Sequence, residues 1–308
     1  MINTISKHLN DKDVKAIISF GSLHLGTFIQ NNNDEFSDLD LFVFTKTPSK
    51  LLSVNNIGWL KCFGNPISIL TIKNPVEGNM ITRIMFENLF CVDVIPISYS
   101  KFKMIKIYLF LKKIRLNKLL SNYINIENEL KTFCTYLKRD YTIIYDKKNI
   151  KNIVNKINKN FSINEEKLSE NIFFECYHEF WQTAYRFLGK IVRSDMYYGL
   201  ILLDNVLKKR LVEMIEWETR YFYNSEKDLF YYGKKINLWA DNSTLSSLSK
   251  TTFSLDEKDN LEILQNHILL FQKSCKNVSL KNGYILNKEL EDKILAKINQ
   301  YIKVDNHL

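Results

Sequence analysis

Val14-Lys-Ala-Ile-Ile-Ser-Phe-Gly-Ser22, followed by Ser37-Asp-Leu-Asp-Leu-Phe-Val-Phe-Thr45, decides the fold. The apolar, β-branched run Val14–Phe20 ends in Gly21-Ser22 and reads as a buried strand entering a turn. Asp40–Thr45 reads as a second strand, entered from a polar loop that includes Gln30–Glu35. Residues i and i+2 of a strand share a face, so Asp38 and Asp40 stand side by side at the strand's start. Three more strands follow at Asn65–Lys73, Thr82–Phe86 and Phe90–Ile97, the last two joined by Glu87–Leu89 as a hairpin. Asp93 interrupts the last of them, and a carboxylate on an apolar strand needs a partner.

Beyond about Lys101 the pattern turns helical. Helical spacing predicts elements at Lys101–Lys118, Ser169–Gly189, Met196–Tyr223, Asp256–Cys275 and Asn287–Val304. Lys147–Asn160, rich in Lys and Asn and free of acid, reads as a linker or a frayed helix bordering the next domain. The expected fold class is α+β. A catalytic domain over residues 1–146 has a small mixed sheet flanked by helices, with a basic helical segment near 101–130. A helical bundle over 147–308 forms the substrate-binding domain.

Composition narrows the classes. The chain has 308 residues, 45% hydrophobic and 25% charged, with only 9 Gly and 4 Pro, which excludes disordered and low-complexity readings. The five cysteines are odd in number and form no CxxC pair, so a disulfide framework or zinc site is not expected. Met1–Asp13 has no apolar signal region, and no run is long enough to span a bilayer, so a soluble, cytoplasmic protein without a membrane partner is expected. The net charge of +9 raises nucleic acid as a partner. Its location answers that: residues 1–100 carry net −1, residues 101–160 net +11, and residues 161–308 net −1. The basic excess is confined to 101–160, the one place where a nucleic acid would bind. The rest is slightly acidic, and a nucleic-acid partner is disfavoured.

Three converging carboxylates repel one another in a low-dielectric site unless a cation neutralises them. Oxygen-only donors suit Mg²⁺ or Mn²⁺. Gly21 lets the backbone approach a phosphate closely, and Ser22 can donate a hydrogen bond to it. Together these residues read as a site for a nucleoside triphosphate with metal.

This order of strand–Gly-Ser, Asp-x-Asp and a later Asp resembles the nucleotidyltransferase fold of the polymerase β type. Trp59–Asn65, Met85–Ile97, the run from Glu175 to Trp217 and Tyr231–Trp239 are, in order, similar to segments of the aminoglycoside 6-adenylyltransferase (streptomycin adenylyltransferase) family. The resemblance implies two Mg²⁺ ions bridging Asp38, Asp40 and the ATP phosphates, with Asp93 holding one of them. It implies transfer of AMP from ATP to a hydroxyl of a streptomycin-type aminoglycoside, releasing pyrophosphate and inactivating the drug. Lys234 and Lys235 are candidates for pairing with phosphate oxygens. Glu175 and Glu179, four apart on a helix, are candidates for a cationic acceptor, with Trp181 beside them and Glu216 as a further candidate. Other acceptors of the broad fold (a lincosamide, RNA or protein) and a non-catalytic RNA-binding or partner-binding module are the alternatives. A monomer is favoured. The chain departs from the family pattern at Leu23, where an Arg is usual, at Gln182, and in the longer separations Gly21-to-Asp38 and Asp93-to-Asp146.

Overall fold

A computed structural model describes residues 5, 12–21, 23, 36–52, 58–73, 80–116, 130, 133, 134, 136, 137, 141–160, 168–223, 229, 233–252 and 260–305. The chain divides into two compact units, Met1–Glu165 and Glu166–Leu308.

The first unit is built on a mixed sheet. Its strands are β1 (Val14–Phe20), β2 (Leu39–Thr45), β3 (Pro66–Lys73), β4 (Met80–Phe86), β5 (Cys91–Ser98) and β6 (Tyr141–Asp146), in the order β3-β4-β5-β2-β1-β6. β2 and β5 pair in parallel; the other neighbours are antiparallel. The β4–β5 turn is the expected hairpin: Phe86 N–H donates to Phe90 O at 2.9 Å, and Leu89 adopts the left-handed region at φ 62°. β6 was not anticipated. Its Tyr-Thr-Ile-Ile-Tyr run has strand composition, but it is short and lies between two segments read for their basic helical character.

Strand alternation divides the sheet into two buried faces. Ala16, Ile18, Phe20, Phe42, Phe44 and Ile95 face helices α1 (Tyr99–Lys113) and α2 (Lys151–Asn160), which contribute Phe102, Tyr108, Ile153, Val154 and Ile157. Ile17, Leu39, Leu41, Val43, Val92 and Val94 face Leu51, Trp59, Leu60 and Phe63. β1 is buried along its whole length, which explains its lack of polar alternation. β3 lies at the end of the strand order and is largely exposed.

Both helices on the first face start from strand ends. The Ser98 hydroxyl caps α1 by accepting from Lys101 N–H. At the end of β6, the Asp146 carboxylate accepts from Ile150 N–H at 2.8 Å and Lys151 N–H at 3.1 Å, fixing the start of α2. The Ile150, Ile153, Val154 and Ile157 stripe of the Lys- and Asn-rich segment belongs to the sheet's core, and this segment lies in the first compact unit.

The second unit is helical: α3 (Glu170–Val192), α4 (Met196–Leu202), a π-helical turn Leu203–Leu207, α5 (Lys208–Tyr223), α6 (Asn242–Ser249), α7 (Asn260–Asn282) and α8 (Lys288–Asp305). Phe173, Cys176, Tyr177, Phe180, Ala184, Phe187 and Ile191 recur at helical spacing along α3 and are buried, making it the core of the bundle. Phe180 stacks on Phe271 of α7 with ring centroids 3.6 Å apart. Buried Glu291 of α8 accepts from the Tyr177 hydroxyl at 2.8 Å, Gln272 Nε2 at 2.9 Å and Lys288 Nζ at 2.9 Å. That satisfies a charge which would otherwise be costly to bury. Among the described residues no helix is long and apolar enough to cross a membrane.

Truncating Phe180→Ala removes a fully buried ring and its stacking partner's contact, and large-to-small core changes of this kind cost about 3–5 kcal/mol. The expected result is a urea midpoint for loss of helical signal well below that of the unmodified chain. An unshifted midpoint contradicts this account of the core.

Candidate functional site

Register lines up the charged residues. Across the sheet, Arg83 of β4 is the partner of Asp93 of β5, Asp93 of Asp40 on β2, and Asp40 of Phe20 on β1. Residues in one lateral row share a face, so Arg83, Asp93 and Asp40 project together. Asp38, two residues before Asp40, joins them. Phe20, next in the row, stacks on Phe42 at 4.1 Å, so an aromatic wall bounds the charged end of this face.

The central contact is a two-point ion pair. Arg83 Nε donates to Asp93 Oδ1 at 2.8 Å and Arg83 Nη2 to Asp93 Oδ2 at 2.6 Å. The same Nη2 lies 3.7 Å from Asp38 Oδ2. Asp93 is only 5% exposed, whereas Asp38 and Asp40 are half-buried. The Asp93 hydrogen bonds hold the Arg83 guanidinium protonated above its already high range, against the opposing effect of burial. Burial, helped by the Asp38 charge, pushes the Cys91 thiol up.

Gly21 is fixed by two constraints. Its φ is +76°, and a Cβ there would lie 2.6 Å from Asp40 Oδ2. The sequence reading gave Gly21 the task of admitting a phosphate; in the fold its missing side chain admits the Asp40 carboxylate. Ser22 lies outside the described residues. Leu23, where a cation is usual, is buried in the apolar core of the other sheet face.

Carboxylates are hard oxygen donors of the type Mg²⁺ or Mn²⁺ accepts. The side-by-side Asp38 and Asp40 fit such an ion. Arg83 engages one lone pair on each Asp93 oxygen, so an ion there would compete with the guanidinium for that carboxylate. Among the described residues no group of three or more His, Cys, Asp or Glu is set to hold a metal. Sequence reasoning missed Arg83. Its signal was a single cation on the apolar strand Thr82–Phe86, in register with the acid of the next strand.

The residues expected at the acceptor lie in the second unit. Glu175 and Glu179 do share a face of α3, and Arg210 of α5 bridges them. Its Nε donates to Glu179, Nη1 to Glu213 at 2.6 Å and Nη2 to Glu175 at 3.2 Å. Three carboxylates thus surround one guanidinium. Trp181 requires a correction: it is wholly buried among Tyr177, Phe180 and the rest of the bundle core, because it falls on the apolar stripe of α3. Lys234 is exposed in a turn where Gly233 has φ +69° and Lys235 has φ +54°. Gly233 N–H donates to Glu216 Oε1 at 3.3 Å, and Trp239 Nε1 donates to Lys234 O at 3.0 Å, so both ends of the turn are tied down. Burial pushes Glu216 up to about 7.

A family model described as streptomycin adenylyltransferase matches residues 1–302. Comparison with curated proteins returns no match. Among solved structures, an aminoglycoside 6-adenyltransferase from Bacillus subtilis is similar, at 16% identity and a TM-score of 0.42, covering 97% of this chain and 96% of that one. A nucleotidyltransferase-like protein from Exiguobacterium sibiricum is similar at 12% identity and a TM-score of 0.35, covering 89% and 74%.

Two outcomes follow from this geometry. Gly21→Ala forces an L-residue into the left-handed region, at about 1–2 kcal/mol, and drives its Cβ onto Asp40. Thermal unfolding should report the loss, and Gly21→Ser should be at least as harmful. Glu216 has a folded value near 7, above the 4.5 of the unfolded chain, so the folded state holds this proton more tightly. Its contribution is fully present below the unfolded value and is lost as pH rises to about 7. Glu216→Gln removes that loss. The variant's Tm relative to the unmodified chain should therefore rise between about pH 5 and about pH 8, and a flat difference sinks the reading.

Proposed function

The chain belongs to the streptomycin adenylyltransferase family, and from that premise we propose that it transfers AMP from ATP to a hydroxyl of a streptomycin-type aminoglycoside in a cation-dependent reaction. The observation that carries this reading is the charged row: Asp38, Asp40 and Asp93 converge on one sheet face, with Gly21 against Asp40.

The chemistry is displacement at the α-phosphorus. An acceptor oxygen forms a new P–O bond, the bond to pyrophosphate breaks, and the acceptor's proton goes to a carboxylate. A bound divalent cation supplies Lewis acidity and neutralises the phosphate oxygens. Asp38 and Asp40 are the residues that would hold it. Asp93, or a carboxylate beside it, is the proposed proton acceptor. Phe20 and Phe42 exclude water from one side of this end of the sheet. Because the residues hold charge in fixed positions rather than forming bonds to substrate, their contribution is positioning and electrostatic stabilisation.

In the second unit, Lys234 and Lys235 are the proposed phosphate contacts. Glu175 and Glu179 are the proposed acceptor contacts. With Glu213 they surround the Arg210 guanidinium, which a cationic acceptor would have to displace. The free cysteines suit a reducing cytoplasm, where ATP is abundant.

The test is direct. Protein, ATP, Mg²⁺ and an aminoglycoside should release pyrophosphate only when all are present, and mass spectrometry should find the drug heavier by one AMP. Asp40→Asn should lower kcat by at least about 10²–10³-fold with unfolding unchanged, as loss of a key electrostatic group does. No pyrophosphate with any aminoglycoside defeats the acceptor assignment.

A further inference from the structure

We propose that Arg83 is a positioning residue of the transfer reaction: it holds Asp93 in place as an internal counter-charge and competes with the divalent cation for that carboxylate. The inference rests on the function proposed above, and it names a residue that the carboxylate pattern alone does not reveal.

The argument begins with charge. Asp40 and Asp93 are lateral neighbours on adjacent strands, and Asp38, just before β2, lies 3.7 Å from the Arg83 guanidinium. Like charges directly opposite in a sheet, with a third close by, are destabilising unless a cation joins them. Arg83 is that cation, built into the next strand at the partner position to Asp93. Its fork meets both Asp93 oxygens, and its outer nitrogen is 3.7 Å from Asp38, so one guanidinium reaches two members of the set.

The geometry also shows what the pair costs. A carboxylate gripped at both oxygens by a planar guanidinium presents its lone pairs along the fork. A cation bound at Asp38 and Asp40 would compete with that grip for the Asp93 charge. Asp93 is nearly buried, whereas the Arg83 side chain is 44% exposed, so the movable partner is Arg83. Once released, its guanidinium remains beside a row where triphosphate oxygens would collect charge. The pair therefore does two things. It keeps Asp93 correctly turned while the site is empty, and it withholds that oxygen donor until a cation competes for it.

The competition is measurable without turnover, as Mn²⁺ binding to the nucleotide-free full chain by electron paramagnetic resonance. Arg83→Gln should bind Mn²⁺ at least about tenfold more tightly than the unmodified chain, since an uncompensated carboxylate becomes available. Asp93→Asn in the same background should remove the gain. Arg83→Lys, which keeps a charge but has no fork, should fall between the two and serves if the glutamine variant does not fold. In turnover assays, Arg83→Gln should lower kcat more than it changes KM for ATP, because Asp93 is no longer held in register. Equal or weaker Mn²⁺ binding in both Arg83 variants overturns the inference and leaves Arg83 a structural ion pair. Absence of adenylyl transfer by the unmodified chain defeats the proposed function while the Mn²⁺ result still stands, so the two failures are distinguishable.

Discussion

The parallel pairing of β2 with β5 is the constraint on which the site depends. It sets Asp40 alongside Asp93, and everything nearby answers the repulsion that results. Arg83 answers it with an opposite charge in the adjacent strand. Gly21 answers the crowding with an absent side chain. The aromatic contacts Phe20–Phe42 and Phe44–Phe102 bury the remainder of the same face, so the polar row is confined to one end of the sheet. The helices that close this face start from strand ends, capped by Ser98 and Asp146. The sheet thereby sets both the charges and the walls around them.

Much of this was legible in the chain. Val14–Phe20 and the Asp-x-Asp of Asp38 and Asp40 state the strand, the turn and the shared face directly, because strand alternation is a local rule. The long helices were legible for the same reason: apolar residues at helical spacing on Glu170–Val192 declare a core. Arg83 was not, since its meaning comes from a register between β4 and β5 that no local pattern supplies. β6 was missed because six residues are a short run, and its pairing is with β1, more than a hundred residues earlier. The Ile stripe of 150–157 was hidden by the Lys and Asn between its members.

Trp181 shows a different limit. Helical spacing already turns Trp181 about 160° from Glu179, taking roughly 100° per residue, yet the sequence reading kept it as an acceptor candidate. Glu179 meets Arg210, and Trp181 fills the bundle. The acidic set around Arg210 was half legible. The i, i+4 spacing of Glu175 and Glu179 was readable, while the cation between them arrives from α5, more than a full helix later in the chain.

Position 21 has a consequence for how the protein can vary. Every substitution there meets an unfavourable backbone conformation and a collision with a carboxylate at the same time, and no single second change relieves both. Any side chain at position 21 is strained for as long as Asp40 stays where β2 puts it, so the turn leaves this end of the sheet room for backbone alone.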